Sequence, residues 1–136
     1  MEVFKRPPTF KGPAEWFTGD VWGDVVYRGE EPSRLRATTV RFTPGARTAW
    51  HSHRLGQALY IVEGVALIQS RGQRIVEAHP GDVIWTPPDE EHWHGAAPGQ
   101  FMSHIALWET DDVQWLEHVT DEEYQGLRTS TRTQEM

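Results

Sequence analysis

Five of the seven histidines in this chain fall in three short windows: His51 and His53, His92 and His94, and His104. Gln57 follows His53 in the stretch "AWHSHRLGQ". On an extended strand, residues i and i+2 point to one face. His51 and His53 therefore share a side, with Trp50 opposite, and His92 and His94 share a side, with Trp93 opposite. In "MSHIALW", His104 lies on the face that carries Met102, Ala106 and Trp108. Imidazoles gathered in an apolar interior are costly to desolvate unless something binds them. A divalent metal ion is the simplest such partner. His79 and His118 sit in turn-like or acidic surroundings and are given no role.

The elements that must position these side chains are short. Turn signals recur at "TPGAR" (43–47), "RLG" (54–56), "EG" (63–64), "SRG" (70–72), "HPGD" (79–82), "PPDE" (87–90) and "APGQ" (97–100). Between them lie segments rich in β-branched and aromatic residues: 37–42, 58–62, 65–70, 73–77, 82–86 and 101–109. Many short strands at even spacing predict an all-β sandwich or barrel, in which inward faces converge. One short helix is expected in 120–127, capped by Thr120, with acidic residues in its first turn. The first 35 residues read as irregular. Within them "EWFTGDVW" (15–22) is expected to pair at a sheet edge or with another subunit. The polar tail 128–136 reads as frayed.

Bulk properties narrow the partners. The 136 residues suffice for one domain with a real core. A formal charge of −7 argues against nucleic acid and anionic membrane, which need a basic face. A small molecule is the expected ligand. The absence of cysteine excludes disulfides and thiolate metal sites and fits the cytoplasm. "MEVFKRPPTFKGP" has no apolar run of the signal-peptide kind, and no stretch reaches the length of a membrane span.

"GARTAWHSHRLGQALYIVEG" (45–64) and "GDVIWTPPDEEHWHGA" (81–96) resemble the two motifs of the cupins. The resemblance implies a double-stranded β-helix, a jelly-roll barrel. It also implies an octahedral metal held by His51, His53, Gln57 and His92, with open positions for water or substrate. On it the chain divides into an N-terminal arm (1–34), the barrel (35–110) and a C-terminal segment (111–136). Small cupins commonly form homodimers or homotetramers. Departures are visible: Gln57 replaces the usual Glu, Asp89 a glycine and Ala96 an asparagine.

Over most of the chain, "KGPAEWFTG", "PGARTAWHSHRLGQ", "MSHIAL" and "WLEHVTDEEY" are similar to the manganese-dependent cupin hydroxynitrile lyases of bacteria. That family shares the His, His, Gln, His ligand set. The similarity implies manganese, with iron, zinc or nickel as alternatives, and site roles for Thr48, His94 and His104. Val40, Phe42 and Trp108 are the expected apolar pocket, and Trp108 stands where the family has glutamine.

The glutamine carries a chemical argument of its own. A carboxylate ligand would cancel part of the ion's charge, whereas Gln57 leaves it whole. The ion is then held less tightly and polarises a bound oxygen more strongly. Oxygen activation at iron gains from an anionic ligand, while Lewis-acid chemistry gains from its absence. The glutamine therefore favours a lyase, isomerase or cyclase over a dioxygenase, and the resemblance implies cleavage and formation of cyanohydrins, with His104 and His94 handling protons and Thr48 bonding the substrate oxygen. Alternatives are a metal-dependent dioxygenase or a non-catalytic binding protein on the same barrel, since fold alone does not choose.

Overall fold

A computed structural model describes residues 1–130. Its strands, numbered along the chain, form two sheets. The six-stranded sheet runs in the order β1 (Phe10–Lys11), β3 (Val21–Arg28), β4 (Leu35–Phe42), β12 (Met102–Glu109), β7 (Gln57–Gly64) and β10 (Val83–Thr86). The eight-stranded sheet runs β13 (Val113–Trp115), β6 (His51–His53), β11 (His92–Ala96), β8 (Ala66–Ser70), β9 (Ile75–Ala78) and β14 (Arg128–Ser130). β5 (Arg47–Thr48) joins it beside β11 and carries β2 (Phe17–Thr18) on its other side. Every pairing is antiparallel except β9 with β14.

Alternation explains the sandwich. On β7, Gln57, Leu59 and Ile61 are buried while Tyr60 and Val62 face out. On β12, Met102, His104 and Ala106 are buried between outward neighbours. These inward residues meet Val21, Phe42 and Ile68 in a core between the sheets. Each large apolar side chain so buried contributes about 1.5–3 kcal/mol. Gly64, the last residue of the first motif, has φ +77°, and a Cβ there would fall 1.8 Å from the Phe101 carbonyl oxygen. Only glycine lets the end of β7 pass so close to the chain entering β12.

A second apolar cluster lies behind the eight-stranded sheet. Trp50, Leu67, Ile75 and Trp93 are covered there by Val119 and Tyr124 of the C-terminal segment. Buried Arg47 ties that segment down, bonding the Val119 carbonyl (2.9 Å) and Asp121 (2.8 Å) with its guanidinium over the Tyr124 ring. The expected helix is α1 (Asp121–Tyr124). The Thr120 hydroxyl accepts from the Glu123 N–H, and the Glu123 carboxylate accepts from the Thr120 N–H.

Two expectations change. The first 35 residues are not irregular but supply β1, β2 and β3, with "EWFTGDVW" pairing with β5, β4 and β1, the sheet-edge alternative of its expectation. Of the polar tail, Arg128–Ser130 forms β14 against Ile75–Glu77, because the edge of β9 still offers unpaired backbone groups. Residues 131–136 lie outside the described residues.

Candidate metal centre

The register of the strands brings the histidine windows together. His92 of β11 stands directly opposite His51 of β6, and Gln57 of β7 stands opposite Trp108 of β12. One nitrogen each from His51, His53 and His92 fall within 4.8 Å of one another, all buried. The Gln57 Oε1 lies 3.1 Å from His92 Nε2. The four residues expected as ligands are thus in one place, and three of them, His51, His53 and Gln57, line a cavity.

Hydrogen bonds set which nitrogen faces the cluster. His51 Nδ1–H donates to the Ala49 carbonyl (2.9 Å), and His92 Nδ1–H donates to the Glu90 carbonyl (3.0 Å). Each ring then presents its Nε2 lone pair inward, the form a metal requires. With that tautomer, His92 Nε2 and Gln57 Oε1 are two acceptors facing each other. Their separation matches neighbouring ligands of an octahedral ion with bonds of ~2.1 Å. Both ring nitrogens of His53 are buried without a partner among the described residues. Such groups are normally satisfied. The donor set therefore fits a divalent cation.

Electrostatics agrees. Burial, reinforced by His92 and His53, holds His51 well below its ordinary pKa. Burial and then His92 push His53 down to about 3, and burial lowers His92. All three stay neutral near pH 7 and keep lone pairs for an ion.

Next to this cluster stands a histidine pair. His104 Nε2 lies 2.9 Å from His94 Nδ1, with both rings buried. His94 lines the cavity, and its Nε2 has no partner among the described residues. His104 is fully buried and is not part of the cavity wall, but it bonds His94 and pairs across the strands with Val40, both of which line it. Burial pushes His104 down to about 4 and, with His104 and His51 nearby, holds His94 well below the usual range. The Thr48 oxygen accepts from the His94 backbone N–H (3.1 Å), leaving its own hydrogen free to donate into the cavity.

The cavity holds about 330 Å³. Val40 and Trp108 form part of its wall, as expected. Phe42 does not: it shares a face with Val40 but lies deeper along β4. There its ring packs against His94 and His104 at 6.0 and 5.2 Å between centroids. The sequence reading missed the outer wall, where Phe10, Trp16, Phe17 and Trp115 project from segments flanking the barrel. Their only signal was the aromatic density of the chain, since nothing in "EWFTGDVW" says that it returns to the mouth of a distant site. Among the described residues, no Lys, Arg, Asp or Glu lines this cavity.

Residues 38–106 match the cupin domain family, and the chain belongs to the cupins. Across 117 residues, 84% of this chain and 89% of the relative, it is 50% identical to an (R)-mandelonitrile lyase from Granulicella tundricola. A cupin-like protein of Thermotoga maritima superposes with a TM-score of 0.81 at 38% identity, over 92% of this chain and 96% of that one. A polyketide cyclase from Streptomyces resistomycificus shares the fold at 21% identity, with a TM-score of 0.64 over 92% and 91% of the two chains. No helix among the described residues is long and apolar enough to cross a membrane.

Proposed function

We propose that this cupin is a manganese-dependent hydroxynitrile lyase that cleaves and forms cyanohydrins, taking mandelonitrile to benzaldehyde and HCN. The observation that carries the reading is His94. Its Nε2, without a partner among the described residues, lies in an uncharged cavity beside three imidazoles and an amide that could serve as ligands. The 50% identity to a mandelonitrile lyase supports it.

His51, His53, Gln57 and His92 would hold the ion, which supplies Lewis acidity toward a substrate oxygen. The chain's own residues do the rest. The Thr48 hydroxyl donates to the substrate oxygen and orients it. His94 Nε2 takes the hydroxyl proton as general base. The electron pair of the O–H bond becomes the second C–O bond of the aldehyde, while the C–C bond breaks and its pair leaves with cyanide. His94, now protonated, returns the proton to give HCN. His104 holds the His94 ring in place through the contact between its Nε2 and His94 Nδ1. The apolar wall excludes water and receives the uncharged organic part of the substrate.

The test is a mandelonitrile cleavage assay on protein stripped of metal and reloaded with manganese, iron, zinc or nickel in turn. Activity restored by manganese is expected. No HCN release with any of the four metals, at full metal loading, would remove the lyase assignment.

A further inference from the structure

The mouth of the cavity is built by neither motif. Trp115 of β13 stands opposite His51 of β6, and its ring lies over the imidazole at 4.7 Å between centroids. Trp16 lies flat on Trp115, at 5.1 Å and 4° between planes. His51, the tilted Trp115 ring and the stacked Trp16 thus make a run of ring contacts from the buried ligand cluster to the solvent, where Trp16 is 39% exposed. The backbone holds the outer plate in position. The Trp16 carbonyl accepts from the Ala49 N–H (2.8 Å), and the Trp16 N–H donates to the Pro13 carbonyl (3.0 Å). Phe17 braces the stack from the side, 5.9 Å from Trp115. Both tryptophans lie outside residues 38–106, the span that matches the family, and both line the cavity.

We propose that the stacked pair Trp16 and Trp115 is the specificity-determining wall of the site and sets the upper size of the substrate's organic group. A volume of about 330 Å³ is at the small end for ligand sites, which run from about 300 to 1,000 Å³. In so small a cavity, an indole at the mouth decides whether a second fused ring fits. Trp115 is anchored by its contact with a ligand imidazole and is the fixed inner plate. Trp16 stacks on Trp115 rather than on a ligand imidazole, so it is the plate that can vary with least disturbance of the metal centre. The flat face of the pair favours an aromatic ring lying along it. This inference rests on the lyase reading for its substrate class but not for the size limit itself.

Trp16→Ala, Trp16→Phe and the wild type, all loaded with manganese, are compared on mandelonitrile and on the cyanohydrin of 2-naphthaldehyde. Trp16→Ala is expected to raise the naphthyl-to-phenyl ratio of kcat/KM by ~10-fold or more, the discrimination a close apolar wall provides, with Trp16→Phe in between. Metal content is expected to stay at the wild-type level. An unchanged ratio in a Trp16→Ala protein with full metal content overturns the proposal. If the wild type cleaves neither cyanohydrin, the lyase reading fails by itself. The size limit is then read by calorimetry, from the dissociation constants of benzaldehyde and 2-naphthaldehyde. The same shift in ratio supports the wall, and its absence overturns it.

Discussion

His104 Nε2 and His94 Nδ1 face each other at 2.9 Å inside the barrel, and between two neutral rings one proton serves that contact. If His94 donates, its Nε2 is a lone pair and can act as a base. If His104 donates, His94 carries its proton on Nε2 and can act as an acid. The outer nitrogens, His94 Nε2 and His104 Nδ1, have no partner among the described residues, so no hydrogen bond there fixes either arrangement. The pair can therefore serve both directions of a reaction that first removes and then returns a proton.

Replacing His94 by Ala is expected to lower mandelonitrile turnover by ~10²-fold or more, the usual size of a general acid–base contribution. His104→Ala is expected to cost activity too, through kcat rather than KM, because it acts only through His94. Metal content should remain near wild type in both. Full turnover by metal-loaded His104→Ala would show that His94 needs no partner.

Removing a ligand has a different signature. His51→Ala or His92→Ala takes away one of four protein donors and leaves the remaining ones poorly arranged. Elemental analysis of the purified variants is expected to show little retained metal. Wild-type content in both would refute the ligand assignment.

Gln57→Glu adds a negative charge next to His92. Tighter metal binding and slower cyanohydrin cleavage are expected, since the carboxylate weakens the Lewis acid. Metal titration and steady-state rates on one preparation measure both. Equal or faster turnover would mean that the amide has no electronic role.

Acid should destabilise the metal-free protein through His104. Burial takes its pKa to about 4 in the folded chain, against ~6.5 when unfolded. Above pH ~6.5 the group is neutral in both states and contributes nothing. Between ~6.5 and about 4, the unfolded chain binds a proton that the folded chain refuses, so stability falls as pH falls. Below about 4 both states are protonated and the slope ends. The loss is of the order of 3 kcal/mol. The Tm of chelator-treated wild type should therefore drop more steeply from pH 7 to 4.5 than that of His104→Phe. Parallel curves would exclude the effect.

How much of this was legible in the sequence follows from range. The i, i+2 pattern of a strand is local, so "HSH" and "HWH" determined that each pair shares a face, and that Ser52 and Trp93 between them lie on the other. The turn residues determined the strand rhythm, and Thr120 ahead of an acidic first turn marked the helix found at Asp121–Tyr124. Register is not local. That His92 falls opposite His51, that His104 bonds His94 from outside the cavity wall, and that Phe42 packs on that histidine pair were decided by how strands distant in sequence pair and twist. The same holds for Trp16 and Trp115: they are separated along most of the chain, and only the closed sandwich lays one ring on the other. The carbonyls of Ala49 and Glu90, which select the metal-binding tautomers, belong to backbone that every residue carries. Only the tertiary structure could direct them at imidazole nitrogens, because a peptide carbonyl has no signature in the sequence until the fold orients it.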